Sequence, residues 1–126
     1  MNIVLLSPYF PPNYYNFVVA LSRLGVNALT LGDAPYGGFR HELRDALTEY
    51  YRVDDMHNYD HLLRACGYFT HRYGKLARLE SHNEYWLETD ARLRTDFNIV
   101  GPKIGDMDKF KRKSRMKQVF ANAGID

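Results

Sequence analysis

"NIVLLS", residues 2–7, is a continuous apolar run between an asparagine and a serine, and Pro8 follows it directly. Two of its residues, Ile3 and Val4, are β-branched. A run of this kind is typical of a strand that is covered on both faces, as in a parallel sheet. Because parallel strands need long crossover connections, the same stretch leads us to expect helices between this strand and the next.

Strand-like and helix-like segments alternate along the rest of the chain. Further strands are predicted at residues 26–31, 49–53 and 77–81, with a brief fifth strand at 97–101. Helices are predicted at residues 14–24, 39–47, 54–73 and 82–97. Alternation with short connections favours right-handed crossovers. The sequence therefore predicts an α/β, Rossmann-like three-layer fold with a mostly parallel sheet of four to five strands.

Two of the predicted helices carry clear apolar stripes. In the first helix, with Asn13 as its expected N-cap, the stripe consists of Phe17, Ala20, Leu21 and Leu24. In the third helix it consists of Leu62, Cys66, Phe69 and Tyr73. Gly25 and Gly74 stand where each helix should end, as glycine commonly does after a helix. We expect both stripes to face the sheet.

Composition limits the classes of function. The 126 residues, 45% hydrophobic and 25% charged, suit one globular domain. A net charge of +2 does not indicate a nucleic-acid-binding protein, and no stretch is long and apolar enough for a transmembrane helix. The single cysteine, Cys66, cannot form an internal disulfide. We expect a cytoplasmic protein without nucleic-acid or membrane partners.

Several polar residues follow the predicted strands. In open α/β sheets the ligand crevice lies beyond the carboxyl ends of the strands. Ser7 follows the first strand, Glu80 and Ser81 end the fourth, and Asn83 and Glu84 open the next helix. We predict that these five residues form the substrate side of a crevice, where they orient an amine or a basic group. N-capping and interaction with the helix dipole would explain the same residues, and local sequence does not separate the two interpretations.

Two common site types are not indicated. The loop after the first strand, residues 7–16 "SPYFPPNYYN", contains no glycine, so it lacks the GxGxxG pattern of dinucleotide-binding domains. His57 and His61 are spaced to share a helical face, but no HExxH pattern and no third ligand accompany them. We therefore predict that both histidines lie on the surface and that the chain has no metal ligands. The sequence assigns no catalytic residue.

The last sixteen residues, 111–126 "KRKSRMKQVFANAGID", carry the most specific pattern. Lys113 and Met116 are followed by an apolar helical stripe and by Ala123-Gly124-Ile125. This spacing resembles the segment that enters the ATP-binding domain of ATP-grasp ligases, although Arg112 stands where that family usually has Asp. Residues 78–99 also resemble the fourth strand and following helix of ATP-grasp proteins of the carbamoyl-phosphate synthase and biotin carboxylase type.

The resemblance implies a specific organisation and chemistry. Residues 1–105 would be a pre-ATP-grasp domain, and residues 106–126 a helix leading into an ATP-grasp domain downstream in the same polypeptide. The full enzyme would use ATP and Mg²⁺ to activate a small-molecule carboxylate through an acyl phosphate, with Lys113 contacting the nucleotide phosphates. The 126-residue chain alone would be inactive and would bind no cofactor.

A second interpretation remains open. The chain fits a non-catalytic α/β binding or regulatory module whose basic final helix docks a partner or an anionic ligand. Aromatic residues expected to be exposed in the loop at residues 8–15 also leave a homodimer open. A receiver domain is not indicated, because Ser7-Pro8 stands where that fold has an acidic pair.

The resemblance predicts that Lys113 and Lys111 differ. In a polypeptide that carries the downstream domain, Lys113→Ala should weaken nucleotide binding by roughly tenfold, because a charged hydrogen bond to phosphate is lost. Lys111→Ala, the matched control, should change it by less than about twofold. If an ATP titration shows the same loss of affinity for both variants, Lys113 is an ordinary surface residue.

Overall fold

A computed structural model describes residues 1–9, 12–81 and 84–106 of the chain. Its strands are β1 (Asn2–Leu6), β2 (Asn27–Gly32), β3 (Glu49–Arg52) and β4 (Arg78–Glu80). Its α-helices are α1 (Tyr15–Arg23), α2 (His41–Ala46), α3 (Tyr59–Tyr73) and α4 (Leu87–Phe97). Three short 3₁₀ turns complete the order, at Pro12–Tyr14, Tyr36–Gly38 and Glu84–Trp86. The four strands form one parallel sheet in the order β3-β2-β1-β4, which confirms the predicted Rossmann-like α/β fold.

Strand β1 lies inside the sheet and is covered on both faces. It pairs with β2 along its whole length, from Asn2 opposite Asn27, and with β4 from Ile3 opposite Arg78. All five of its residues are buried. Side chains of a strand alternate between faces, so Val4 and Leu6 enter one core while Ile3 and Leu5 enter the other. The apolar run of residues 2–7 thus has the role predicted for it.

Each face of the sheet has its own core. The α1 and α2 side contains Tyr14, Val18, Leu21, Leu43 and Ala46, all buried. The opposite side is filled from α3 and α4 by Leu62, Ala65, Cys66, Phe69 and Leu93. Burying one large apolar side chain contributes about 1.5 to 3 kcal/mol. These two cores therefore fix the three layers.

Local signals set both ends of α3. The Asn58 side chain accepts a hydrogen bond from the Asp60 amide at 3.1 Å, which caps the helix at its start. Gly74 ends it with φ of +94°, a conformation that non-glycine residues rarely adopt. Asn2 Nδ2 donates to the Tyr73 and Lys75 carbonyls at 2.8 and 3.0 Å, which ties this end to β1. The predicted end at Gly74 is confirmed.

The predicted stripe of the first helix is partly wrong. Phe17 and Leu24 are 37% and 77% exposed, and Ala20 is exposed too. The buried stripe runs instead through Tyr14, Val18 and Leu21, at the 4-then-3 spacing of a helix. The chain enters α1 through the turn Pro12–Tyr14, which places the N-cap at Tyr14 rather than Asn13, with no side-chain capping bond.

Residues 97–101 do not form the predicted fifth strand. Asn98 is left-handed with φ of +54°, which turns the chain sharply after α4. The Lys75 ammonium donates to the carbonyls of Phe97 and Asn98 at 3.2 and 2.6 Å, and Ile99 is buried in the core. The predicted boundary between residues 105 and 106 lies at the limit of the described ranges and stays a prediction.

The loop at residues 8–15 also differs from expectation, because Tyr14 is buried and Tyr15 is half-buried. Its described aromatic residues, Tyr9, Tyr14 and Tyr15, therefore belong to the core on the α1 and α2 side of the sheet. Among the described helices, none has the length and hydropathy needed to cross a membrane.

The corrected face of α1 predicts different effects for two neighbouring leucines. Leu21→Ala should lower the free energy of unfolding by about 2 to 4 kcal/mol, because it removes a buried side chain and leaves a cavity. Leu24→Ala, the same change on an exposed residue, should cost less than about 0.5 kcal/mol. Urea denaturation of both variants measures this, and a larger loss for Leu24→Ala would restore the originally predicted face.

Candidate functional site

The strand order locates the candidate site between β1 and β4. The chain runs outward from β1 to β2 and β3, and then returns to place β4 on the other side of β1. Helices leave the sheet on opposite faces at such a reversal, which opens a crevice at the carboxyl ends of β1 and β4. The register pairs Leu5 with Glu80, so the residues beyond this pair line the crevice.

Ser7 leaves β1 in an uncommon backbone conformation. Its φ is +51°, in the left-handed region that costs a non-glycine residue about 1 kcal/mol or more. Its amide donates to the Leu31 carbonyl of β2 at 2.8 Å, and the residue is buried. The surrounding sheet therefore holds Ser7 in a strained turn at the mouth of the crevice, where the sequence predicted a site residue.

Across the crevice, Ser81 pairs with a residue that the sequence interpretation missed. The Ser81 hydroxyl donates to Asp90 Oδ2 at 2.5 Å, which links the end of β4 to α4. Asp90 is 1% exposed, and its other oxygen, Oδ1, is buried with no hydrogen-bond partner among the described residues. A buried carboxylate oxygen without a partner is energetically costly, which makes Asp90 a candidate functional residue of the crevice.

The surroundings of Asp90 raise its pKa above the ordinary value of an aspartate. Burial raises the pKa of Asp90 to about 6, and the nearby charge of Glu80 raises it further, while the Ser81 hydrogen bond and Arg94 act in the opposite direction. The pKa of the Tyr14 phenol is raised as well, by burial first and then by the charges of Asp90 and Glu80. Tyr14 therefore lies within electrostatic range of the same pair of acids.

Arg94 forms the inner support of this cluster. Its guanidinium donates to the Leu79 carbonyl through Nε and Nη2, at 3.1 and 2.6 Å, and to Glu80 Oε2 at 3.1 Å. A fourth bond joins Nη1 to the Pro102 carbonyl. Gly101, with φ of +129°, allows this approach, since a Cβ there would lie 2.9 Å from Arg94 Nε. Arg94 thus fixes Glu80 and the chain after α4 rather than facing a ligand.

The position of Asp90 in the helical pattern of the sequence indicates a buried residue, although its charge suggests an exposed one. Asp90 lies in the first turn of α4, where an exposed acid favours the positive end of the helix dipole, but its side chain is buried. It lies in phase with Trp86, Leu93 and Phe97, so a carboxylate occupies the apolar stripe of α4. A charge at such a position needs a buried partner or a function.

The remaining predicted residues have different outcomes. Ser7, Glu80 and Ser81 lie at the carboxyl edge of β1 and β4, and their substrate-binding role stays a prediction. Glu84 begins the turn Glu84–Trp86, while Asn83 and Lys113 lie outside the described residues, so their roles remain predictions.

Polar residues beyond the other strands make local contacts. Asp33 Oδ1 accepts from the Tyr9 hydroxyl at 2.5 Å, Asp54 pairs with Arg52 at 3.1 Å, and Asp55 accepts from the His57 amide at 2.9 Å. Within the described ranges, no three His, Cys, Asp or Glu side chains gather as metal ligands.

The crevice between β1 and β4 presents acids, and the N–H groups of Arg94 are directed at protein oxygens. This part of the chain therefore does not fit a nucleoside triphosphate. A hydroxyl or amine is the better ligand for it.

Comparison with known proteins adds a fold relationship. No family model matches the sequence, and no curated protein matches it significantly. The fold is similar to the crystal structure of an L-amino acid ligase from Bacillus licheniformis, with a TM-score of 0.67 at 12% sequence identity. The similarity covers 99% of this chain and 30% of the ligase chain, so this chain spans less than a third of that protein's length. At this identity the similarity shows the fold alone.

The raised pKa of Asp90 predicts a pH-dependent stability. Since the folded state binds the proton more tightly than the unfolded state, where the pKa is near 3.8, the contribution of Asp90 to stability is greatest below that pH and is lost as pH rises through about 6. Over this pH range, the ionisation of Asp90 lowers the free energy of unfolding by about 2 to 3 kcal/mol. Asp90→Asn should abolish that part of the pH dependence, measured by urea denaturation between about pH 4 and pH 7.

Asp45→Asn serves as the control, because Asp45 is an exposed carboxylate that pairs with His41 on the helix surface. If Asp90→Asn and the wild type show the same slope with pH, Asp90 titrates normally and the description of the cluster is wrong.

Proposed function

We propose that this chain is the N-terminal α/β domain of an ATP-grasp ligase and supplies the substrate-side wall of its active site. The observation that carries the proposal is the fold similarity to an L-amino acid ligase over nearly the whole chain. The spacing Lys113-x-x-Met116 followed by Ala123-Gly124-Ile125 supports it independently. Neither feature depends on the other, since one is a backbone geometry and the other a local sequence pattern.

The crevice between β1 and β4 is the proposed substrate wall. It combines the Ser81 hydroxyl with the carboxyl groups of Glu80 and Asp90, and Ser7 follows the neighbouring strand β1. Hydroxyls and carboxylates accept hydrogen bonds from an ammonium or amide group, and Asp90 Oδ1 has no hydrogen-bond partner among the described residues. Asn83 and Glu84 are the other residues proposed for this wall.

In this proposal, ATP and Mg²⁺ bind to an ATP-grasp domain downstream in the same polypeptide. Lys113 contacts the phosphates of that nucleotide. The carboxylate of the small-molecule substrate attacks the γ-phosphoryl group, releasing ADP and forming an acyl phosphate. An amine or other nucleophile then displaces phosphate from the acyl carbon. The present chain binds and orients the substrate and performs no chemical step alone.

The proposed setting is cytoplasmic, without nucleic-acid or membrane partners, and with a homodimer as a possible assembly. Burial raises the pKa of the Cys66 thiol to about 12, so it stays protonated at neutral pH and is a poor nucleophile. Cys66 therefore serves the core, which agrees with its place in α3.

The test is ADP release by the complete polypeptide. With ATP, Mg²⁺ and a panel of amino acids and small carboxylates, we expect ADP formation that depends on the carboxylate, and none from residues 1–126 alone. Ser81→Ala should raise KM for the carboxylate or its amine partner roughly tenfold with KM for ATP unchanged, because it removes the hydrogen bond that orients Asp90.

Ser22→Ala, an exposed serine on α1, is the matched control and should change neither constant. A reading frame that encodes no ATP-binding domain after codon 126 would overturn the proposal in favour of a non-catalytic binding module. Micromolar binding of ATP by the 126-residue chain in isothermal titration would also contradict it.

A further inference from the structure

A groove of about 260 Å³ opens between the loop that follows β3 and the first turns of α4. Its floor is apolar, since Met56 and Leu62 are both buried. One wall consists of the Tyr85 and Trp86 rings, which are perpendicular with their centroids 4.8 Å apart. None of the residues lining this groove belongs to the crevice between β1 and β4, so it is a separate site.

Two distant segments hold the aromatic wall in place. The His57 ring lies 5.6 Å from both the Tyr85 and the Trp86 ring centroids, and its Nε2 hydrogen-bonds to the Tyr85 hydroxyl. On the other side of the ring, Asp55 Oδ1 lies 3.7 Å from Nδ1. The loop after β3 and the start of α4 are therefore tied together, and contacts within the protein hold the groove in shape, as in most small-molecule sites.

Arg92 contributes a positive charge with a defined orientation. Its guanidinium carbon lies 3.7 Å from the centroid of the Tyr59 ring, and the Tyr59 hydroxyl donates to Asp96. Stacking occupies the face of the guanidinium and leaves its N–H edge for hydrogen bonds. Arg92 is exposed, and within the described part of the chain no carboxylate pairs with it.

The volume limits the size of the ligand. A cavity of about 150 Å³ holds benzene, and sites for drug-sized ligands begin at about 300 Å³. A groove of about 260 Å³ lies between them and suits one ring with a short acidic side chain. Aromatic rings prefer offset or edge-to-face contacts with other rings, which the perpendicular pair of Tyr85 and Trp86 offers.

We propose that this groove binds a small aromatic carboxylate, with the ring against Trp86 and Tyr85 and the carboxylate on Arg92. Glu88 lies one helical turn before Arg92 at the rim, and its negative charge opposes such a ligand. The attraction by Arg92 dominates because its N–H edge makes directed, charge-assisted bonds that Glu88 does not share. The site does not depend on the proposed ligase function, since it needs neither ATP nor a downstream domain.

Trp86 is the only tryptophan in the sequence, so its fluorescence reports on this groove directly. Titration of the 126-residue chain with phenylacetate should give a saturable change in Trp86 emission with a Kd below about 1 mM, the weakest affinity that marks specific binding of so small a ligand. Benzylamine has the ring without the carboxylate, and inorganic phosphate has the negative charge without the ring. We expect neither to saturate in the same range.

Arg92→Gln should weaken phenylacetate binding at least tenfold, and Arg92→Lys should weaken it less, because lysine keeps the charge and loses the planar pair of donors. Arg40→Gln is the matched control, since the Arg40 guanidinium carbon also lies over a tyrosine ring, 4.1 Å from the Tyr15 centroid, but outside this groove. It should bind phenylacetate like the wild type. Glu88→Gln should bind equally well or more tightly.

Three results would overturn the proposal. The first is no saturable emission change with phenylacetate at millimolar concentration. The second is benzylamine or phosphate binding as tightly as phenylacetate, which would assign a different ligand class. The third is an Arg92→Gln variant with native circular dichroism and undiminished phenylacetate binding. If the glutamine variant does not fold, undiminished phenylacetate binding by Arg92→Lys is the third result instead. ADP release by the complete polypeptide is read separately, so failure of this proposal leaves the ligase proposal untouched.

Discussion

The structure depends on one constraint, the burial of β1 on both faces and along both edges. Its backbone pairs with β2 on one side and β4 on the other, while its side chains fill two separate cores. Every backbone donor and acceptor of a buried strand needs a partner, so β1 is viable only with both neighbours present. Helices must then cover both faces, and the three layers follow.

The same constraint creates the crevice. Because β2 and β4 flank β1, the chain must reverse its direction of winding, and β1 and the edge strand β4 end next to each other. Residues distant in sequence, such as Ser7 and Ser81, reach the same edge of the sheet. Arg94 then joins β4, α4 and the following segment through four hydrogen bonds, so one buried side chain stabilises the wall on which Glu80 and Asp90 lie.

Helix α4 separates two different chemical environments. Its inner side holds Asp90, whose burial raises its pKa to about 6, next to a serine and a second acid. Its outer side carries Arg92 beside an aromatic wall. Residues two positions apart on a helix point in different directions, so a single helix serves both without the two charges meeting.

The sequence by itself determined the fold class, the four strands and the C-terminal end of α3 at Gly74, while α3 begins at Tyr59 rather than at the predicted residue 54. These features follow from short-range physics: a continuous apolar run, a periodic stripe, or a glycine that alone tolerates the required backbone angle. Ser7, Glu80 and Ser81 were also predictable, because a residue after a parallel strand must lie at the crevice edge. Only the tertiary structure decided that Tyr14 rather than Phe17 faces the core and that residues 97–101 form no strand. It also revealed the burial of Asp90 and the exposed edge of Arg92. These features depend on which long-range neighbour is present, and local propensity carries no information about a partner that folding brings from elsewhere in the chain.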